Sequence, residues 1–243
     1  MSAEENISGV MELLKSLKPE QHDYLNRYLS NTPRWVLESV QVLKKGKDTV
    51  FVEENTPADY IYILADGIVR AIDYRFQGVA YEYMWFYAVK TFGTMETMLN
   101  IPLYMTTLKT VTPCAMLVLP RTVYEKWIWK DSNAVRMEVE SMGLYLLEQS
   151  RVGRAYLFLQ GMDRLLFMFA HSYEQKKTDG DMILNMTRQE LAERNGISIK
   201  TTNRAVKKME EEGFIGCSGR KITVTHAQYE KMKAYLQPLE SRA

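Results

Sequence analysis

The chain of 243 residues holds only two cysteines, Cys114 and Cys217, and three histidines, His22, His171 and His226. Two thiols cannot build a disulfide framework. A four-thiolate iron–sulfur cluster is excluded by count alone. The histidines are far apart, and no His/Cys group has metal-ligand spacing. No apolar run reaches the ~18–20 residues a membrane span needs. An excess of one charge is also missing, since 31 Lys and Arg face 30 Asp and Glu. A uniformly basic nucleic-acid coat is therefore excluded, although a local basic patch is not. The opening MSAEENISGVMELLKSL lacks the charged-then-apolar order of a signal peptide. The expected location is the cytoplasm, with reduced thiols and no membrane partner. What is present is a foldable composition, 46% hydrophobic and 25% charged, long enough for one large domain or two ordinary ones.

Periodicity divides the chain into three textures. Residues 4–30 read as helix, with apolar or aromatic residues at Ile7, Val10, Met11, Leu14, Leu17, Tyr24, Leu25, Tyr28 and Leu29, punctuated by Pro19 and Pro33. From Val36 to about Leu119 the runs are short, β-branched and aromatic: VLESVQVL, TVFVEE, YIYILADGIVRAIDY, YEYMWFYAV, TTLKTVT and AMLVLP. Lys45-Gly46-Lys47, Asn55-Thr56-Pro57, Asp66-Gly67 and Gln77-Gly78 are the turn signals between them. This is the pattern of a β-sandwich or barrel, with a hairpin expected at Asp66-Gly67. From Arg121 to about Tyr173 the period is helical again. Val135, Val139, Met142, Leu146, Gln149, Gly153 and Tyr156 follow alternating spacings of four and three. Such a stripe, taken alone, more often marks a helix packed on its own domain. Its length after a β domain also suits a dimer seam, and the block that follows it favours the seam. A polar loop is expected over 174–183.

The block from Thr187 carries the chemistry. Thr187-Arg188-Gln189-Glu190 is a capping box that opens the helix TRQELAERN. Gly196 can end that helix with positive φ. Ser198 caps a second helix, SIKTTNRAVKKMEEEG, stopped by Gly213, and FIGCSGRKITVTH follows as strand–turn–strand. Leu191, Ala192, Ile197, Ala205, Val206 and Met209 can form a small core, which makes the pair a helix–turn–helix. The second helix offers the donors Lys200, Thr201, Asn203, Arg204 and Lys207. Arg204 can bond guanine in bidentate fashion, Asn203 can pair with adenine, and Ile199 can meet a thymine methyl. Arg188, Lys207 and Lys208, with the hydroxyls of Thr187, Ser198 and Thr201, suit phosphates, and Gln189 lies beside them in the first turn. Over 187–208 six basic residues stand against Glu190 and Glu193, so the near-neutral chain conceals one basic face.

The segment MTRQELAERNGISIKTTNRAVKKMEEEGFI resembles the winged helix–turn–helix of the cAMP receptor protein / fumarate–nitrate regulator (Crp/Fnr) superfamily of bacterial transcription factors. The resemblance extends over roughly 36–225: IYILADGIVRAI is similar to the family's strand–Gly–strand hairpin, TFGTMETML to its phosphate cassette, and LPRTVYEKW to the strand and helix that follow. Arg164 sits where the family keeps an Arg after the hinge. The resemblance implies an α+β fold: an N-terminal jelly-roll, cyclic-nucleotide-binding-like β domain, a long dimerisation helix and a C-terminal winged helix–turn–helix. It implies domains at 1–120, 121–160 and 161–243, a homodimer through the 134–157 helix, and two recognition helices on a palindromic site in double-stranded DNA.

The departures from the family matter as much. The family's cassette places a Glu after Phe-Gly and, a strand later, an Arg followed by Ser or Thr, which together hold a cyclic nucleotide. Here Phe92-Gly93 is followed by Thr94 and Met95, and the Arg and Ser positions fall on Tyr104 and Met105. The adenine-contacting hydroxyl pair falls on Gln149 and Ser150. A buried phosphate without a cation is costly, so cAMP is not the expected ligand. Haem is disfavoured too, because no His lies between His22 and His171 and Cys114 is the sole thiol there. Tyr81, Tyr83, Trp85, Phe86, Met95, Met98, Tyr104 and Met105 make an aromatic, Met-rich region that either holds a small apolar effector or simply fills the core. The Arg-Glu that begins the cAMP-receptor reading set is Ile199-Lys200 here, while Arg204 remains, so the half-site should differ from those of the cAMP receptor and the fumarate–nitrate regulator.

The expected function is a sequence-specific dimeric transcription regulator that answers to a small molecule other than cAMP, or to none, with RNA polymerase as a further partner. It calls for no catalytic residue, no metal and no cofactor. The competing reading is a ligand-binding or protein-interaction module without sequence-specific DNA binding. A cupin-like enzyme would need clustered His and carboxylate ligands, and the β region contains no His.

Overall fold

A computed structural model describes residues 3–73, 81–175 and 180–240. The chain divides into two compact units, Met1–Leu146 and Leu147–Ala243. The first opens with helices α1 (Ala3–Ser16), α2 (Pro19–Tyr28) and α3 (Arg34–Leu37). The expected helix over 4–30 is thus broken at Pro19, whose missing N–H is harmless at the first position of α2. VLESVQVL, expected as one strand, is divided instead. Its start closes the single turn of α3, and only its end enters β1 (Gln41–Lys45).

Strands β2 (Val50–Val52), β3 (Tyr60–Asp66), β4 (Ile68–Asp73), β5 (Tyr81–Tyr87), β6 (Lys90–Phe92), β7 (Thr107–Thr110) and β8 (Cys114–Pro120) complete the β domain. They form two antiparallel four-stranded sheets, ordered β1-β8-β3-β6 and β2-β7-β4-β5. Asp66-Gly67 is therefore not a hairpin. β3 pairs with β6 and β8, whereas β4 pairs with β5 and β7, so the chain turns a corner from one sheet to the other. Glycine is required at this corner. Gly67 has φ 104°, and a Cβ there would lie 2.6 Å from the Cys114 Sγ and 2.7 Å from the Pro113 carbonyl oxygen. The Gln77-Gly78 turn lies outside the described residues.

Helix α4 (Thr94–Met98) follows β6, and α5 (Arg121–Ile128) follows β8. One core joins Leu25 and Tyr28 of α2 to Ile61, Ile63, Leu117 and Trp127, and a second gathers Leu64, Val69, Leu108, Met116 and Phe92 between the strands. Asp131 then caps the long helix α6 (Ser132–Phe158). Its Oδ1 accepts the amides of Asn133 and Ala134, both at 3.1 Å, and its Oδ2 accepts the Trp127 indole N–H, also at 3.1 Å. The start of α6 is thereby fixed to the end of α5.

The second unit contains the end of α6, then α7 (Met162–Gln175), β9 (Met182–Asn185), α8 (Arg188–Asn195), α9 (Ile199–Glu211), β10 (Gly216–Ser218), β11 (Lys221–Val224) and α10 (His226–Glu240). β9 begins inside the expected loop at 174–183 and joins a three-stranded sheet, β10-β11-β9. Its alternating burial, with Met182 and Leu184 inward, is the period-2 pattern of a half-buried strand. α10 also goes beyond the expected elements. Thr225 and Gln228 exchange backbone and side-chain bonds in a second capping box, and Tyr229, Met232 and Leu236 pack inward.

Glu138 of α6 is 2% exposed. Its carboxylate accepts the Tyr28 hydroxyl at 2.5 Å and the Thr91 hydroxyl at 2.7 Å, and Tyr28 meets Tyr124 at 3.2 Å. Burial holds the Glu138 carboxyl above the usual carboxylate range, although these hydroxyls and Lys90 pull it down. A carboxyl with a raised folded-state value binds its proton more tightly folded than unfolded, so its contribution to stability falls as pH rises from the unfolded value of about 4.3. The advantage of Glu138→Gln over the parent should accordingly grow from about pH 4.5 towards neutral, by at most ~1.4 kcal/mol per pH unit. All four tryptophans (Trp35, Trp85, Trp127 and Trp129) lie in the first unit, so urea unfolding followed by tryptophan fluorescence measures the difference there.

Candidate nucleic-acid interface

Two side-chain caps define the helix pair. Thr187 accepts the Glu190 amide at 3.1 Å while the Glu190 carboxylate accepts the Thr187 amide at 2.6 Å. Ser198 accepts the Thr201 amide at 3.1 Å, and its hydroxyl meets that of Thr201 at 2.9 Å. Between them Gly196 takes φ 61°, the left-handed cap that the sequence calls for.

One face of α9 is buried: Thr202, Ala205, Val206 and Met209 are enclosed, and the last three join Leu191, Leu166, Phe169 and Ile222 in one core. The opposite face is then fixed by the helical period. Lys200, Asn203, Arg204 and Lys207 follow one another at i, i+3, i+4 and i+7, and all four are exposed. None of the Lys200, Asn203 and Arg204 side chains makes a hydrogen bond or ion pair among the described residues. Lys207 pairs with Glu211 at 3.8 Å and Lys208 with Glu212 at 3.6 Å, both in solvent, where such pairs are weak. Ile199 is exposed at the start of the helix. Thr187, Thr201 and Ser198 keep their hydroxyls at the caps, at the same ends of α8 and α9.

Two of the expected contacts in α8 are placed differently. Gln189 is held by the Glu193 carboxylate. Arg188 is half-buried and directed to the wing, with one guanidinium nitrogen 4.0 Å from the Cys217 Sγ and another buried. It spans α8 and β10. Sequence reading missed two exposed cations, Arg220 and Lys221, at the wing turn beside Gly219 (φ 61°). A Ser-Gly-Arg-Lys turn between two short apolar strands is the signal that marks them.

Arg164 braces the motif from α7. Its Nε donates to the Leu159 carbonyl at 2.7 Å, and a terminal nitrogen donates to the Asn195 carbonyl at 3.2 Å, one residue before the Gly196 turn. Asn195, itself buried, donates from its side-chain amide to the Leu191 carbonyl at 2.8 Å. An unpaired helix-end carbonyl is thus satisfied by a cation, which fixes where α8 stops.

In the first unit the cassette positions converge, but not into a phosphate cradle. Gly93 has φ 86° and no room for a side chain, since a Cβ would lie 2.6 Å from the Tyr60 carbonyl oxygen. The ring of Tyr104 lies against Gly93, and its hydroxyl donates to the Tyr60 carbonyl at 2.7 Å and accepts the Tyr60 amide at 3.2 Å. Burial pushes the Tyr104 phenol well above its ordinary value. The Met105 amide donates to the Glu96 carboxylate at 3.2 Å, so a protein anion holds the donor at that position. Phe92 and Thr94 are buried, whereas Met95 and Met105 are exposed. Phe86 packs edge-to-face on Phe92 at 5.2 Å, and Met98 packs against the helical core. Trp85 is half-buried, and the side chains of Tyr81 and Tyr83 lie outside the described residues. Gln149 is half-buried and Ser150 exposed, both on α6 in the second unit.

Residues 162–232 match the Crp-like helix-turn-helix domain family. Solved structures with the same architecture include FixK2 from Bradyrhizobium japonicum, 19% identical, covering 80% of this chain and 96% of its own, with TM-score 0.64. The c-di-GMP-responsive global regulator CLP of Xanthomonas campestris is 19% identical over 84% of this chain and 98% of its own, with TM-score 0.65. A CRP/FNR-family transcriptional regulator from Thermus thermophilus is 18% identical over 80% of this chain and 97% of its own, with TM-score 0.63. No curated protein shows significant sequence similarity to the chain. The C-terminal module is a Crp-like helix–turn–helix domain, and the chain carries the fold of the Crp/Fnr transcription regulators.

Proposed function

We propose that the protein is a dimeric transcription regulator that reads DNA with α9. The observation that carries this reading is the outward stripe of Lys200, Asn203 and Arg204, left without protein partners among the described residues at the end of the helix that enters a major groove in this geometry. Arg204 and Asn203 are assigned to base edges, and Ile199 to a thymine methyl. Lys200, Lys207, Lys208, Arg220 and Lys221 are assigned to base or phosphate oxygens, with the hydroxyls of Thr187, Ser198 and Thr201 beside them. Arg188 and Arg164 are assigned to positioning the wing and the turn. The protein acts where the DNA is, with RNA polymerase as the partner through which it alters transcription.

The dimer is supported by α6. Val139 is 59% and Leu146 66% exposed, and they share a helix face with the half-buried Met142 and with Gly143, where an added Cβ would have no neighbour within 4 Å. The burial of the outer seam positions Gly153 and Tyr156 lies outside the described residues. A two-fold dimer of helix–turn–helix modules reads half-sites about one helical turn (~34 Å) apart. Cyclic nucleotide is not the proposed effector, because Tyr104 and Glu96 occupy the space and the donor that a phosphate would need.

Three measurements test the reading. Arg204→Ala should weaken binding to the cognate site by about 1–3 kcal/mol and relax one base position, while Lys207→Ala should weaken all duplexes alike and flatten the salt dependence. Unchanged cognate binding by Arg204→Ala in gel shifts would reverse the assigned orientation of α9. Leu146→Glu should leave the fold intact, because the side chain is exposed, yet convert the dimer to monomer in sedimentation and abolish tight binding to the two-half-site duplex. Titration with cAMP should give no heat in calorimetry and no change in DNA affinity.

A further inference from the structure

A groove of about 320 Å³ opens on the β domain between β2 and the start of β3. Its aromatic walls are Phe51, Tyr60, Tyr62 and Tyr104, and its acidic lining residues are Glu53 and Asp59. Of the nucleotide-cassette positions, Tyr104 alone borders it. Phe51 and Tyr62 meet edge-to-face, with centroids 5.2 Å apart and planes at 68°, so their faces look in different directions around a corner. Tyr104 is a fixed wall, because its hydroxyl is committed to both backbone groups of Tyr60. No Lys, Arg or His lines the groove, and neither Glu53 nor Asp59 forms an ion pair among the described residues. The charges of Glu96 and Asp59 add to burial in raising the Tyr104 phenol, which marks the surroundings of that ring as electronegative.

We propose that this groove binds a small organic cation with an apolar body, an amine or quaternary ammonium compound. Aromatic faces attract a cation through their quadrupoles, and two unpaired carboxylates at the rim complement its charge. The same carboxylates repel an anion. A neutral aromatic keeps the apolar contact and loses the electrostatic one. The site is independent of the DNA-reading face and stands or falls separately from it.

The test uses the full-length protein with benzyltrimethylammonium, benzyl alcohol and benzoate as probes in saturation-transfer NMR and calorimetry. Benzyltrimethylammonium should bind at millimolar concentration, benzyl alcohol more weakly, and benzoate not at all. The double variant Glu53→Gln/Asp59→Asn changes two exposed side chains and should weaken the cation about tenfold without altering benzyl alcohol binding. Tyr60→Leu should weaken the cation, whereas Tyr60→Phe, which keeps the ring, should not. Equal binding of all three probes, no binding of the cation, or an unchanged cation affinity in the double variant would each overturn the proposal.

Discussion

The burial of one face of α9 is the constraint on which the rest depends. Thr202, Ala205, Val206 and Met209 are held against a core built from α7, α8 and the wing. Once those four positions point inward, the 3.6-residue period leaves Lys200, Asn203, Arg204 and Lys207 no direction but outward. Burying any of the cations instead would remove charge from water without a partner, which costs several kcal/mol. The outward polar face is thus the complement of the packed one. The caps at Thr187 and Ser198 and the Arg164 contact with the Asn195 carbonyl set where the helices start and stop, and so set which residues lie on the outward face near the start of α9.

The β domain shows the reverse economy. Gly93 lets the backbone approach Tyr60 at close range, and the groups around it do not suit a phosphate. Tyr104 fills the space beside Gly93, and the Glu96 carboxylate takes the Met105 amide. The backbone turn at Gly93 is therefore flanked by an aromatic ring and a carboxylate. Glu138 is another buried carboxylate in this domain, and it ties α2, β6 and α6 together through the hydroxyls of Tyr28 and Thr91. Such a group specifies an arrangement at some cost in stability.

Much of this was legible in the residues because the informative signals are local. Capping boxes, a left-handed glycine and an amphipathic helix act over a few residues, so Thr187, Gly196, Ser198 and the α9 donors were readable without coordinates. Non-local pairing was not. Asp66-Gly67 has the composition of a hairpin, but its strands pair with β6 and β8 on one side and β5 and β7 on the other, so the two runs it joins never pair with each other. The inward turn of Arg188 depends on Cys217 in the wing, and the contact of Glu96 with Met105 depends on the path of a loop. α10 was readable in principle, since Thr225 and Gln228 repeat the capping-box spacing before Tyr229, Met232 and Leu236. The wing cations Arg220 and Lys221 carry no periodic signal, because so short a turn has no period.

The most direct measurement of the central claim is selection of random duplexes by the purified full-length protein. The outward face of α9, doubled by a two-fold axis, predicts enrichment of one inverted repeat whose half-site centres are about 10–11 base pairs apart. Recovery of unenriched sequence, with affinity set by salt alone, would contradict it.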